Sequence, residues 1–203
     1  MKLLPDLRNK AVILKLLAVA VLVIVVGLFA FQLGSNDKKN NPSGSQDTNK
    51  VSLPPSGIDY PSGWKEVGST TSANKASGVI AEAVRSNPDA TVIVREESGG
   101  DLAKDFDINK LPDEVVSRFK QEVENFSLIS KSVVKVGSFQ AAKVDYKEKE
   151  SGNTVLSNTM FIVPTGKKTY YIKYQTTAEL SKIGDDITAI NTRLAEYIKS
   201  HAS

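Results

Sequence analysis

Apolar side chains fill almost every position of residues 11–31, AVILKLLAVAVLVIVVGLFAF, where Lys15 is the only charge in 21 residues. At ~1.5 Å per helical residue this run covers the ~30 Å hydrocarbon core of a bilayer, which predicts a transmembrane anchor over residues 11–33. Lys15 lies about one turn inside the edge, where its stem can carry the ammonium out to the headgroups. A cleaved signal peptide would have a shorter apolar run ending at small residues spaced A-x-A. Here Ala18-Val19-Ala20 sits in mid-run and the exit, Phe29-Ala30-Phe31-Gln32-Leu33, is bulky, so the pattern favours an uncleaved signal anchor with a single pass. Lys2, Arg8, Lys10 and Lys15, set against Lys38, Lys39 and the distant Lys50, place the short tail of residues 1–10 in the cytoplasm. Everything after the anchor is then extracytoplasmic.

The apolar pattern stops at Gly34. Residues 34–59 are dominated by Ser, Asn, Gly, Pro, Asp and Lys with no period, a composition unable to bury enough surface to order itself. They read as a flexible tether with a root-mean-square span of roughly 28 Å, stiffened at its distal end by Pro54-Pro55.

Residues 60–203 form the remaining unit, long enough for one domain with its own core. Strands are expected at residues 128–136, 139–149, 154–163 and 168–175. They are separated by Gly137-Ser138, Ser151-Gly152-Asn153 and Pro164-Thr165-Gly166-Lys167, which together make an antiparallel meander. In the second strand Gln140, Ala142, Val144 and Tyr146 share one face, opposite a mostly polar one. Residues 76–85 and 90–96 flank Ser86-Asn87-Pro88-Asp89 as a further hairpin, although Ala81-Glu82-Ala83-Val84-Arg85 alone could be helical. Leu111, Val115, Val116, Phe119, Val123 and Phe126 recur at helical spacing behind Pro112, Asp113 and Glu114, which suit a helix N-terminus. A last helix opens on a possible capping box, Thr176 to Glu179, and carries Leu180, Ile183, Ile187, Ile190, Leu194 and Tyr197 or Ile198 on one stripe. Helices covering one face of an antiparallel sheet make an α+β fold.

The order of these elements resembles the PsbP-like family, which includes the extrinsic P subunit of photosystem II, bacterial relatives and Ran-binding Mog-type proteins. Tyr60-Pro61-Ser62-Gly63-Trp64 is similar to that family's Pro-x-Gly-Trp start. The helix running into Phe126-Ser127-Leu128-Ile129, then Val136-Gly137-Ser138-Phe139-Gln140-Ala141, Met160-Phe161-Ile162-Val163, Tyr170-Tyr171-Ile172-Lys173-Tyr174 and a closing helix extend the likeness to His201. The resemblance implies an α/β/α sandwich with a central antiparallel sheet, used mostly for binding other proteins. These are packing and turn residues and carry no catalytic signature, and a photosystem role does not follow from them.

Charge and composition narrow the chemistry. Residues 1–59 carry 7 positive and 4 negative side chains, residues 60–203 carry 19 and 19. A neutral domain lacks the basic footprint of a nucleic-acid binder. With no cysteine there is no disulfide, thiolate nucleophile, iron-sulfur cluster or lipidated bacterial anchor, and His201 is the single histidine, so no cofactor is expected. Asp105-Phe106-Asp107-Ile108-Asn109 has the 1-3-5 oxygen spacing of a calcium loop. Lys110 and Val116 stand where its sharp-turn Gly and bidentate Glu belong, which favours an acidic loop before a helix. Gly166-Lys167-Lys168-Thr169 reads as a hairpin turn, since it lacks a phosphate loop's first glycine and precedes a strand. In Ser132-Val133-Val134-Lys135 the Ser and Lys fall on opposite faces of a strand, and Asn125-Phe126-Ser127 places an acceptor sequence for glycosylation at a helix end. Trp64 reads as a plug at the sheet edge.

The expected function is therefore a membrane-anchored, extracytoplasmic, non-enzymatic protein-binding domain with no assigned catalytic, metal or cofactor residue. Two other readings stay open: a carrier of a small apolar ligand between helix and sheet, and a hydrolase whose acid pair is Asp105 with Asp107 or Asp113. A core cavity would favour the carrier, and convergent carboxylates in a cleft the hydrolase.

Overall fold

A computed structural model describes residues 50–52, 56–71, 75, 77–98, 107–149 and 154–202. The tail, the anchor and most of the tether lie outside the described residues, and no described helix is long and apolar enough to cross a membrane.

Strands β1 (Lys50–Ser52), β2 (Trp64–Glu66), β3 (Ser69–Thr71), β4 (Val79–Ser86) and β5 (Asp89–Ser98) come first, followed by helix α1 (Leu111–Glu122). Then come β6 (Ser127–Val136), β7 (Phe139–Lys149), β8 (Val155–Pro164), β9 (Lys168–Thr176), a 3-10 turn at Leu180–Ile183 and helix α2 (Gly184–His201). Seven strands form one antiparallel sheet in the order β2-β4-β5-β9-β8-β7-β6, and β1 pairs with β3 as a separate ribbon. That ribbon takes in Lys50–Ser52, three residues whose composition suited a tether. The expected meander is β6 to β9 and the expected hairpin is β4–β5. Its first strand is extended and not helical because Ala81 and Ala83 pair in register with Val94 and Val92.

The sheet carries a helix on each face. On one side Val115, Val116 and Phe119 of α1 pack on Ala142, Val144 and Tyr146 of β7 and on Met160 and Ile162 of β8. Phe119, Phe126 and Tyr146 form an aromatic cluster there, with ring centroids 4.9 to 5.8 Å apart. On the other side Ile190, Leu194 and Ile198 of α2 belong to a core with Phe161, Ile172, Tyr174 and Val92. The α/β/α sandwich on a central antiparallel sheet is thus the arrangement found, and only the reading of helices on a single face is corrected. Both residue sets of β8 and β9 are apolar or paired, so each face needs a cover. The side of β7 that read as polar is also buried at Ala141 and Asp145. Trp64 is buried in the α2-side core from edge strand β2, which fits its reading as a plug.

The apolar stripe of the last helix faces the core as expected, with Leu180, Ile187 and Tyr197 only partly buried against it, but the expected start of the helix does not hold. The capping box is not formed: the Thr176 hydroxyl accepts from Ala178 N and donates to Asp89 O, and the 3-10 turn intervenes before α2 starts at Gly184. Ile187 is half-buried, whereas Ile190 is fully enclosed. The helix is instead positioned by long-range contacts. Asp186 in its first turn pairs with Arg85 of β4, and Ala195 sits so close to the β6–β7 turn that a Cβ at Gly137 would lie 2.5 Å from the Ala195 Cβ. Gly137 also has a φ of 58°, so the turn requires glycine on both counts.

Ile190→Asp is expected to destabilise the domain by roughly 4 kcal/mol or more, because an isolated carboxylate has no partner in the α2 core. Ile187→Asp, at a partly open position, should cost only about 1–2 kcal/mol. Urea denaturation of both variants checks this; equal losses would mean that the two positions are equally enclosed.

Candidate functional site

Over β6, β7 and β8 the α2 side of the sheet is not fully covered. Between the N-terminal half of α2, the 3-10 turn and the strands lies a cleft of about 440 Å³. Its floor is built by strand alternation: Ala142, Val144 and Tyr146 of β7 point to α1, so Lys143 and Asp145 point to the α2 side. On the neighbouring strand Thr159 is the register partner of Asp145, and Phe161 that of Lys143. Ile187, Thr188, Asn191 and Thr192 make the helical wall, and Val134 and Leu180 line the rim.

The floor is polar and incompletely paired. Asp145, 8% exposed, accepts from the Ser130 hydroxyl at 2.7 Å and lies 3.0 Å from the Lys143 ammonium, all through Oδ2. Its Oδ1 has no hydrogen-bond partner, and neither does the hydroxyl of Thr159, which is 1% exposed. A buried polar group left so costs about 1–3 kcal/mol, and such groups concentrate where function needs them. On the wall the hydroxyls of Thr188 and Thr192 donate to the carbonyls of Gly184 and Thr188, and Asn191 Oδ1 accepts from the Tyr174 hydroxyl at 2.8 Å. The two threonine protons are committed, so Thr188 and Thr192 keep acceptor lone pairs, whereas Asn191, its oxygen engaged, keeps the donors of its NH2.

The residues that sequence chemistry singled out do not converge on this cleft. Asp107 is exposed and caps its own turn, accepting from Asn109 N at 3.1 Å. That backbone bond, foremost, holds its carboxyl below the usual range. Asp113 is paired with Lys131 of β6, and Asp105 lies outside the described residues. No cluster of three or more metal-ligating side chains occurs among the described residues. Gly166-Lys167 lies in the β8–β9 hairpin turn and Lys168-Thr169 opens β9, with Lys168 paired to Glu96 at 3.0 Å. Ser132 and Lys135 pair with Lys143 and Gln140 on opposite faces of the sheet, and Asn125 occupies an exposed positive-φ turn after α1. His201 stacks on Tyr197 at the C-terminal end of α2. Sequence reasoning missed Lys143, Asp145 and Thr159. Their only signal was a charged pair inside an otherwise strand-like run.

A second polar group is buried on the α1 side of the sheet. Glu148 Oε1 accepts from Gln175 at 3.0 Å and from Lys173 at 3.4 Å, and Arg95 Nε donates to Ser77 O at 2.7 Å. Burial lowers the Arg95 pKa, and Asn158 Oδ1, beside Gln175 in register, has no hydrogen-bond partner. The tyrosines of the two cores shift the other way. Burial pushes Tyr60 up to about 12 and raises Tyr146 and Tyr174 well above their ordinary value.

No protein-family model and no curated protein matches the chain. Solved structures similar to it include cyanobacterial PsbP (CyanoP) of Synechocystis sp. PCC 6803, at 15% identity and a TM-score of 0.44, covering 77% of this chain and 95% of that one. A Pseudomonas aeruginosa protein of unknown function shares 9% identity at a TM-score of 0.42, with 75% and 92% covered. A Bacteroides thetaiotaomicron protein shares 15% at 0.42; 69% of this chain is covered, and the chain spans 46% of that protein. A PsbP structure thus stands among the neighbours of a chain whose sequence resembles that family.

Because Tyr60, Tyr146 and Tyr174 keep their protons in the folded state at a pH where the unfolded chain loses them, stability should be complete below about pH 10 and fall above it. Tyr60→Phe removes one such proton and should make the fall in melting temperature between about pH 10 and 12 shallower. An unchanged slope in that variant would contradict the assignment.

Proposed function

We propose that the domain is a non-enzymatic binding module, held on the extracytoplasmic side of a membrane by the apolar segment of residues 11–33, and that it receives a protein partner at the α2 cleft. The observation that carries this reading is the cleft: a concavity of about 440 Å³ with an apolar rim and a few polar groups converging on its floor. Of the acids that a hydrolase would need, Asp107 and Asp113 are exposed and separately paired with lysines, and Asp105 lies outside the described residues. A carrier of a small apolar ligand fits less well, because such a ligand would lie against Lys143 and Asp145 and satisfy neither. The balanced charge of residues 60–203 supports recognition by shape and local polar contacts, with little dependence on salt.

In membranes of the native cell, a photo-crosslinking side chain at Thr188 of the full chain should give a discrete adduct with one protein. The same group at Lys120, on the exposed side of α1, should not. Equal labelling from both positions, or none from Thr188, would overturn the cleft as the docking place.

Protease added to intact cells carrying the full chain should cut between residues 34 and 59 and release a stable fragment beginning near Tyr60. A chain fully protected from protease would place the domain in the cytoplasm and defeat the orientation drawn from the basic residues around the anchor.

A further inference from the structure

We propose that the floor of the α2 cleft binds a carboxamide, whose NH2 donates to Asp145 Oδ1 while its carbonyl accepts from the Lys143 ammonium. This rests on the reading of the domain as a binding module and names the group that the module takes.

Three unlike groups lie together there on two adjacent strands. Asp145 Oδ1 is a buried oxygen that can only accept and has no partner. Lys143 can only donate; its ammonium carries three N–H bonds, and Asp145 and the Phe161 ring are its contacts in the cleft. Thr159, beside Asp145 in register, has a free hydroxyl able to act either way. A ligand group that answers all three carries donors and an acceptor on one carbon, and an amide does so without charge.

Charge decides against the obvious alternatives. Lys143 already pairs with Asp145 in the cleft, so the two charges of the floor are balanced, while Lys135 lies with Gln140 on the opposite face. An ammonium or guanidinium would meet Lys143, and a carboxylate would meet the bare oxygen of Asp145; each loses one contact and gains a repulsion. The apolar rim of Val134, Leu180 and Ile187 suits the hydrocarbon that bears the amide. The amide can belong to a glutamine or asparagine side chain of a protein or to a small free molecule.

The test is a titration of the isotope-labelled full chain in detergent micelles with butyramide, butyrate and butylammonium, read from the backbone resonances of Asp145, Thr159 and Asn191. Butyramide should shift them saturably, with the two charged probes at least about fivefold weaker, the worth of one net hydrogen bond. The capped peptide acetyl-Leu-Gln-Leu-N-methylamide distinguishes the sources: tighter binding than butyramide, lost when Glu replaces Gln, assigns the amide to a protein side chain. Binding no tighter than butyramide assigns it to a small molecule. Thr159→Val keeps the shape and removes the unpaired hydroxyl, so it should weaken butyramide about fivefold while melting at or above the wild-type temperature. Undiminished butyramide binding in that variant overturns the proposal. Preference for either charged probe overturns the amide and leaves the cleft a binding site, whereas no shift with any probe overturns both.

Discussion

Burial of β8 and β9 on both faces is the constraint on which the rest of this structure depends. Phe161, Ile172 and Tyr174 need an apolar cover on one side, and Met160, Ile162 and Tyr171 need one on the other. A single helix cannot supply both, so α1 and α2 take opposite faces. Any polar group on these strands is then enclosed and needs an internal partner. Lys173 and Gln175 meet this condition through Glu148, and Tyr174 through Asn191.

Asn158 Oδ1 and the Tyr170 hydroxyl lack such a partner, as do Asp145 Oδ1 and the Thr159 hydroxyl, but of the four residues only Asp145 and Thr159 line the cleft. Helix α2 is anchored at Arg85 through Asp186 and abuts Gly137 through Ala195. Those contacts set its line across the sheet, and along that line its N-terminal half leaves the floor of β6 to β8 open. A well-packed interior does not keep two unpartnered oxygens side by side without cost. Their position at the base of a cleft connects the energetic cost to the binding role proposed for it, in the way that functional positions commonly depart from local optimality.

Local periodicity made much of the fold readable. The alternation of Ala142, Val144 and Tyr146 and the helical spacing of Leu111, Val115, Val116 and Phe119 each describe one face of one element, and each element occurs where that spacing puts it. The N-terminal end of α2 was not readable in this way. Thr176 and Glu179 have the spacing of a capping box, but the Thr176 hydroxyl bonds to Asp89, a residue brought beside it by the β5–β9 pairing. Lys143 and Asp145 looked like the solvated side of β7 for the same reason: an alternating strand reports that its two sides differ, and does not report whether the second side is covered.

The amino-acid sequence by itself therefore determined strands β4 to β9, the two helices, the antiparallel pairing along the β6 to β9 meander and the neutral, cysteine-free character of the domain, since these depend on spacing and composition alone. Which face each helix covers, how α2 lies across the sheet and where it leaves a cleft were decided by tertiary structure. Asp145, Thr159 and Asn191 are far apart along the chain, and they share one site only because strand register and helix packing fix their separation in space.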